Sequence, residues 1–417
     1  MLTALASGES TVNGFLLSED CLNTLHAVEA LGASVSIADD VVKIEGTGGI
    51  FHEPSDKLDM GNSGTGMRLL SGLLAGHNFV SEMTGDASLC SRPMRRIKEP
   101  LERMGAKVEL FGDNECAPIR IRGGQLHGIE YKLPVASAQV KSCVLLAGLF
   151  AEGKTSVIEP NPTRDHTEKM LNAMGIDLEI EGPIISLEGS AGKALPVMSG
   201  VWTVPGDFSS AAFWITAAAC LEGSEVIIEN IGLNPRRTAF INVLQRMGAD
   251  IEVEKGINTQ GTKGEETSNG GREWEPFGNI SVRGLHLKGT EVGGDEISNL
   301  IDELPLVAVA GARADGTTTI RDASELRVKE SDRIAAITAG LTSFGVKVDE
   351  KSDGMIIHGG SEVQGKTEVN SYGDHRIAMA MAVMAILADA RVRIMNVECI
   401  STSYPGFWND LEILRKG

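Results

Sequence analysis

The chain has 417 residues, 42% of them hydrophobic and 23% charged, and a formal net charge of −19. This length predicts two or three domains, and the composition argues against a disordered chain. With 57 acidic residues against 38 Lys and Arg, the surface argues against general binding to nucleic acid or to an anionic membrane.

Residues 1–8 read as the end of an amphipathic helix closed by Gly8, with no cap before it. The chain is expected to begin inside an element. The junction then recurs: a helix ends in a small or apolar residue and Gly, and a β-rich run follows. It is found at Gly8, Gly76, Gly153, Gly223 and Gly316, with Asp389 in the sixth place. A second junction, Leu, Met or Phe before Gly and then an alternating strand, recurs at Gly32, Gly105, Gly175, Gly248 and Gly345; Gly417 takes its sixth place. Gly in this position is the expected left-handed helix C-cap. Both series repeat at about 72 residues, the signature of an internal repeat. One interval is longer in both, and the excess falls on 255–278, a Gly-, Thr-, Asn- and Glu-rich stretch read as a surface loop insertion between two strands. The prediction is an α/β protein of six units, each with two helices and several short strands. They divide into a first lobe, 1–205, whose first unit is truncated, and a second lobe, 206–417, carrying the insertion.

About fourteen residues before each first junction a polar residue opens an apolar helix: Asn62, Gln139, Ser209, Asp302 and His375. Asn, Ser and Asp are ordinary N-caps, and Ser209 is expected to be one. Capping does not explain Gln139, His375, or the cations Arg68 and Arg376 near helix starts, where the dipole disfavours positive charge. Helix N-termini offer free N–H groups to anions, and the repeat suggests that these starts converge on one cleft. Basic residues also cluster locally, in 92–96, 163–166 and 327–333. Arg95 and Arg96 are read as solvated. The last run interleaves cations with two acids, as anion binding plus proton transfer requires. An acidic protein with such clusters points to a small phosphorylated or carboxylated substrate.

The six Cys lack a CxxC or a pairing rhythm and read as thiols in a reducing compartment. The longest apolar run, 377–388, is too short to span a bilayer, and no signal-peptide pattern opens the chain. A cytoplasmic location is expected. No phosphate-binding Gly loop of known spacing, no HExxH and no Cys/His metal spacing is present.

Several motifs together resemble the 5-enolpyruvylshikimate-3-phosphate synthase (3-phosphoshikimate 1-carboxyvinyltransferase) family. They are residues 61–68, 84–86 with Arg92 and Pro93, 137–142, 163–169, 326–333 and 373–376. The resemblance runs from about Leu5 to Leu411. It implies two pseudo-threefold domains, each of three βαβαββ units. It also implies transfer of the enolpyruvyl group of phosphoenolpyruvate to the 5-hydroxyl of shikimate 3-phosphate by addition then elimination, a step of aromatic amino-acid biosynthesis. By the same resemblance Asp302 is the base at the 5-hydroxyl and Glu330 exchanges a proton at the methylene. Ser137, Ala138, Gln139, Arg164, Asp302 and Lys329 would line the shikimate 3-phosphate site. Asn62, Gly64, Arg92, Gln139, Arg333, His375 and Arg376 would line the phosphoenolpyruvate site. No metal or organic cofactor is implied; glyphosate is an expected inhibitor and a monomer the expected state. Two departures stand out. Thr402 occupies the place of a family Lys, and the family's Lys-Ser-Ile-Ser-His-Arg segment would fall before Met1, so a truncated and impaired copy is expected. Two other readings are weighed. The sister transferase acting on UDP-N-acetylglucosamine would have a reactive Cys where Ala87 stands, and a chain without a complete site would only bind ligand.

Overall fold

The structure, a computed structural model, describes residues 1–256, 275–360 and 368–415. Most of the expected insertion, and the junction at Gly417, lie outside the described residues. The chain forms two compact units: Met1–Val204 together with Glu275, and a second built from the residues from Pro205 onward. Each has its own apolar core, one running from Leu2 to Trp202 and the other from Phe208 to Phe407.

The second repeat shows how one unit is assembled. Strand Leu58–Asp59 leads into helix Gly64–Ala75 and strand Val80–Thr84; helix Arg95–Met104 and the hairpin Lys107–Gly112/Cys116–Arg122 complete it. Leu58 pairs in parallel with Met83, while Val80 pairs antiparallel with Arg122. The parallel pair is bridged by a helix because parallel strands need a crossover; the hairpin strands need only a turn. The third repeat copies this order, with helices Ala138–Gly148 and His166–Ala173. The first repeat takes its parallel edge strand from the far end of the unit, where Val201 lies beside Thr11. In the second unit the middle repeat is complete, with helices Leu304–Arg313 and Arg333–Ser343 under a four-stranded sheet. Among the described residues its first repeat has a three-stranded sheet and its last a two-stranded one. The insertion is narrower than its composition indicates. Strand Asp250–Lys255 pairs with Phe277–Arg283 as far as Lys255 opposite Gly278, so both ends of 255–278 belong to a hairpin ladder.

The second junction series behaves as a set of left-handed helix ends, with φ between 82° and 116° at Gly32, Gly105, Gly175, Gly248 and Gly345. In the first series Gly76 differs: its φ is −79°. It is small because a Cβ there would sit 2.4 Å from the Phe150 ring.

The opening helix of each repeat is apolar on nearly every side, as expected of a helix enclosed by others. Phe208–Cys220, Leu304–Arg313 and His375–Leu387 pack on one another in the second unit. In the first unit Gly64–Ala75 lies against Ala138–Gly148 so closely that a Cβ at Gly72 would meet the Cys143 carbonyl at 2.2 Å. Of the six thiols, Cys116 and Cys143 are buried. Among the described residues no helix is long and apolar enough to cross a membrane.

The helix–helix contact at Gly72 has no room for a methyl group. Gly72→Ala is expected to destabilise the first unit by about 3 kcal/mol through forced backbone separation, read as a lower urea midpoint in equilibrium unfolding.

Candidate active site

The helix starts carry the chemistry, but the caps are not the residues that the spacing singles out. Ser63, Ser137, Asp207 and Asp374 accept the capping N–H bonds from Gly66, Val140, Ser210 and Arg376. Ser209 is therefore not the cap. It lies inside its helix, where its buried hydroxyl donates to the Glu303 carboxylate and accepts from Arg237 Nη2 at 2.5 Å. Asn62 stands before its cap, and Gln139 after its own. Both are thus freed for other contacts.

In the first unit those contacts organise two arginines. Asn62 Nδ2 donates to Asp86 at 2.7 Å, and Asn62 Oδ1 accepts from Arg92 Nη2 at 2.6 Å. Arg92 is buried and also donates to Ser88 Oγ at 3.1 Å. Asp86 in turn caps the short helix Ala87–Cys90 that leads to Arg92. Gln139 Oε1 accepts from Arg68 Nη1 at 2.8 Å, and its Nε2 donates to Thr65 Oγ1 at 2.7 Å. This ties helix Ala138–Gly148 to helix Gly64–Ala75. Gly64 faces both cations: a Cβ there would meet Arg68 Nη1 at 3.0 Å and Arg92 Nη1 at 3.1 Å. Asn62, Gly64, Arg92 and Gln139 are thus brought together, with Ser137 and Ala138 at the adjoining helix start. Arg164 is half-buried on the loop before helix His166–Ala173. Arg68 completes this cluster without an assigned role from the motifs, although its place beside a helix start had marked it as unusual.

The second unit gathers Asp302, Lys329, Glu330, Arg333, His375 and Arg376. Arg333 is its centre, with a side chain 1% exposed. Its Nε donates to Asp374 at 2.8 Å, Nη1 to Asp302 at 3.3 Å, and Nη2 to Glu330 at 2.5 Å. Burial alone would lower its pKa, but Asp374, Glu330 and Asp302 together hold it above the ordinary guanidinium value. Burial likewise pushes Asp374 upward, and Arg333 outweighs it and holds that carboxyl below the usual range. Asp302 Oδ1 also lies 3.6 Å from Lys329 Nζ and 3.8 Å from Arg376 Nε. One carboxylate thus faces three cations, and a second acid, Glu330, is anchored beside it. Burial, reinforced by the charge of Arg376, lowers the His375 pKa to about 4, so the ring is neutral at pH 7.

Sequence reasoning missed Asp374, which positions Arg333, and Glu275, whose carboxylate meets His166 Nδ1 at 2.6 Å. Asp374 was visible only as part of a motif; Glu275 carried no local signal. Among the described residues no group of three or more His, Cys, Asp or Glu side chains is arranged to hold a metal ion. Guanidinium groups at helix starts beside two carboxylates held apart by their partners combine the group types that anion binding and proton transfer require.

Repeated βαβαββ units carrying such clusters at their helix starts define an enolpyruvyl transferase of the α/β class. Residues 1–411 match the family described as EPSP synthase (3-phosphoshikimate 1-carboxyvinyltransferase), and the chain belongs to that family. The 3-phosphoshikimate 1-carboxyvinyltransferase of Akkermansia muciniphila is 49% identical over 420 residues, covering 99% of this chain and 93% of the relative. That of Desulforamulus reducens is 48% identical, over 98% of this chain and 91% of the relative. The structure of EPSP synthase from Acinetobacter baumannii superposes with a TM-score of 0.83 at 43% identity, covering 99% of this chain and 92% of that one. The enolpyruvyl transferase NikO from Streptomyces tendae, at 18% identity and a TM-score of 0.74 over 99% of this chain and 91% of that one, shares the fold.

The buried ring of His375 makes stability depend on pH. Its folded pKa, about 4, lies below the ordinary value of 6.5, so between these the unfolded state binds more protons. Stability is expected to fall as pH drops from 6.5 towards 4, by up to about 3 kcal/mol from this group, with no contribution above 6.5. Urea unfolding across this range should show a flatter acid limb in His375→Asn than in the parent protein.

Proposed function

We propose that the chain transfers the enolpyruvyl group of phosphoenolpyruvate to the 5-hydroxyl of shikimate 3-phosphate and releases inorganic phosphate. The observation that carries this reading is the Asp302 carboxylate ringed by Lys329, Arg333 and Arg376, with Glu330 held on Arg333. Asp302 takes the 5-hydroxyl proton as that oxygen bonds to C2 of phosphoenolpyruvate, and Glu330 supplies a proton to C3. In the second half Glu330, left as a carboxylate, takes a proton back from C3, the C2–C3 double bond re-forms and phosphate departs with the C2–O bond electrons. The tetrahedral intermediate carries a phosphate and a carboxylate together, and fixed guanidinium groups stabilise that charge as it develops. Arg92, Arg376 and the neutral His375 serve the phosphoenolpyruvate end, with Gly64 leaving space between Arg68 and Arg92. Arg333 acts there chiefly through the carboxylates it holds, and Asn62 through Arg92. Ser137, Ala138, Gln139, Arg164 and Lys329 serve shikimate 3-phosphate. The reading takes the protein as a monomer, and a biosynthetic role of this kind fits the cytoplasm. Sedimentation and cell fractionation test these two points.

Phosphate release in the presence of both substrates is the direct test. Absence of release with shikimate 3-phosphate, or release with UDP-N-acetylglucosamine in its place, would overturn the reading. Asp302→Asn and Glu330→Gln are each expected to lower kcat by roughly 10²–10⁴-fold, the usual worth of a positioned acid or base, in protein whose circular dichroism is unchanged. Gly64→Ala should raise both the KM for phosphoenolpyruvate and the inhibition constant of glyphosate, because the new methyl crowds Arg68 and Arg92. Equal inhibition of the two proteins would remove glyphosate from this site.

A further inference from the structure

Beneath the helix start at Ser137 lies a charge cluster that the proposed chemistry does not use. Lys141, one turn into helix Ala138–Gly148, is fully buried, and its Nζ lies 2.7 Å from Glu168 and 3.1 Å from Glu159. Those carboxylates are 4% and 3% exposed. A buried ion cluster is costly to assemble and often no more stabilising than apolar packing. Its use is more readily found in what it holds in place.

It holds the segment that carries Arg164. Glu159 Oε1 also accepts the backbone N–H of Thr163 at 3.1 Å and the Thr163 hydroxyl. The loop after strand Lys154–Ile158 is thereby bent back on Glu159, and Arg164 is the next residue. On the far side of Arg164, Glu168 lies in the first turn of helix His166–Ala173 and is the other arm of the Lys141 cluster. Ser142 and Thr167 add a hydroxyl pair at 2.7 Å between the same two segments. Both flanks of Arg164 are therefore fastened to the helix that begins with Ser137 and Ala138.

We propose that Lys141, Glu159 and Thr163 are positioning residues that set the placement of Arg164 relative to the Ser137–Ala138 helix start for the phosphate of the acceptor substrate. This rests on the substrate reading above. A phosphate shared by a helix N-terminus and a guanidinium is held well only if their separation is fixed. The Glu159–Thr163 bond is the link nearest to Arg164.

Steady-state kinetics of the full chain test it. Thr163→Val keeps the side-chain shape and removes the hydroxyl bond. It should raise the KM for shikimate 3-phosphate about fivefold to tenfold, the size of one ordinary hydrogen bond. The kcat and the KM for phosphoenolpyruvate should stay within about twofold, and Thr163→Ser should restore the parent value. Arg164→Ala is the reference. If it raises the shikimate 3-phosphate KM and Thr163→Val does not, the positioning role is overturned and the substrate reading stands. An Arg164→Ala enzyme with unchanged KM removes Arg164 from the phosphate site, and the positioning role with it. Parallel loss of kcat and both KM values in Thr163→Val, with a lower Tm, would mark Thr163 as merely structural and also overturn the proposal.

Discussion

A guanidinium with almost no exposed surface is the constraint around which the second unit is arranged. Arg333 could not be buried alone, because an isolated charge in a protein interior costs several kcal/mol. Its burial requires Asp374, Glu330 and Asp302 around it. Those partners come from three separate segments: the cap of helix His375–Leu387, the turn before helix Arg333–Ser343, and the residues before helix Leu304–Arg313. A single cation thus joins three helix starts and presents two carboxylates in fixed relation. The two carboxylates proposed for proton transfer are positioned by the same interaction that neutralises the arginine.

The first unit meets a similar requirement with more neutral partners. Side-chain amides help to orient Arg92 and Arg68, through Asn62 and Gln139. An amide oxygen orients a guanidinium without cancelling its charge. Asp86 in turn holds Asn62. Lys141, further from the helix start, is by contrast fully paired with two glutamates. The net charge of −19 is a poor guide to these local clusters of cations.

The repeat was legible because its punctuation is local. A helix that must end and turn into a strand favours Gly in the left-handed region, and five such positions recur at Gly32, Gly105, Gly175, Gly248 and Gly345. Gly76 belongs to the pattern by sequence but not by cause, since its smallness answers to the ring of Phe150, far away in the chain. The helix starts were legible to within a residue or two, but their caps were not. Asp207 and Ser209 are both plausible caps on residue type. Only the placement of Glu303 and Arg237 shows Ser209 engaged elsewhere.

Periodicity, composition and motif spacing by themselves determined the α/β class and the repeated units. These are local properties, written by helix ends, apolar runs and turn residues within a few positions of one another. Tertiary structure decided the division of labour among those residues. The family resemblance implies ligand contacts for Asn62 and Arg333, and the fold also makes each an organiser of its neighbours. That outcome depends on partners distant in the chain, Asp86 and Arg92 for one, Asp302 and Asp374 for the other. The energetic cost of burying a charge selects those partners only once the helices have packed.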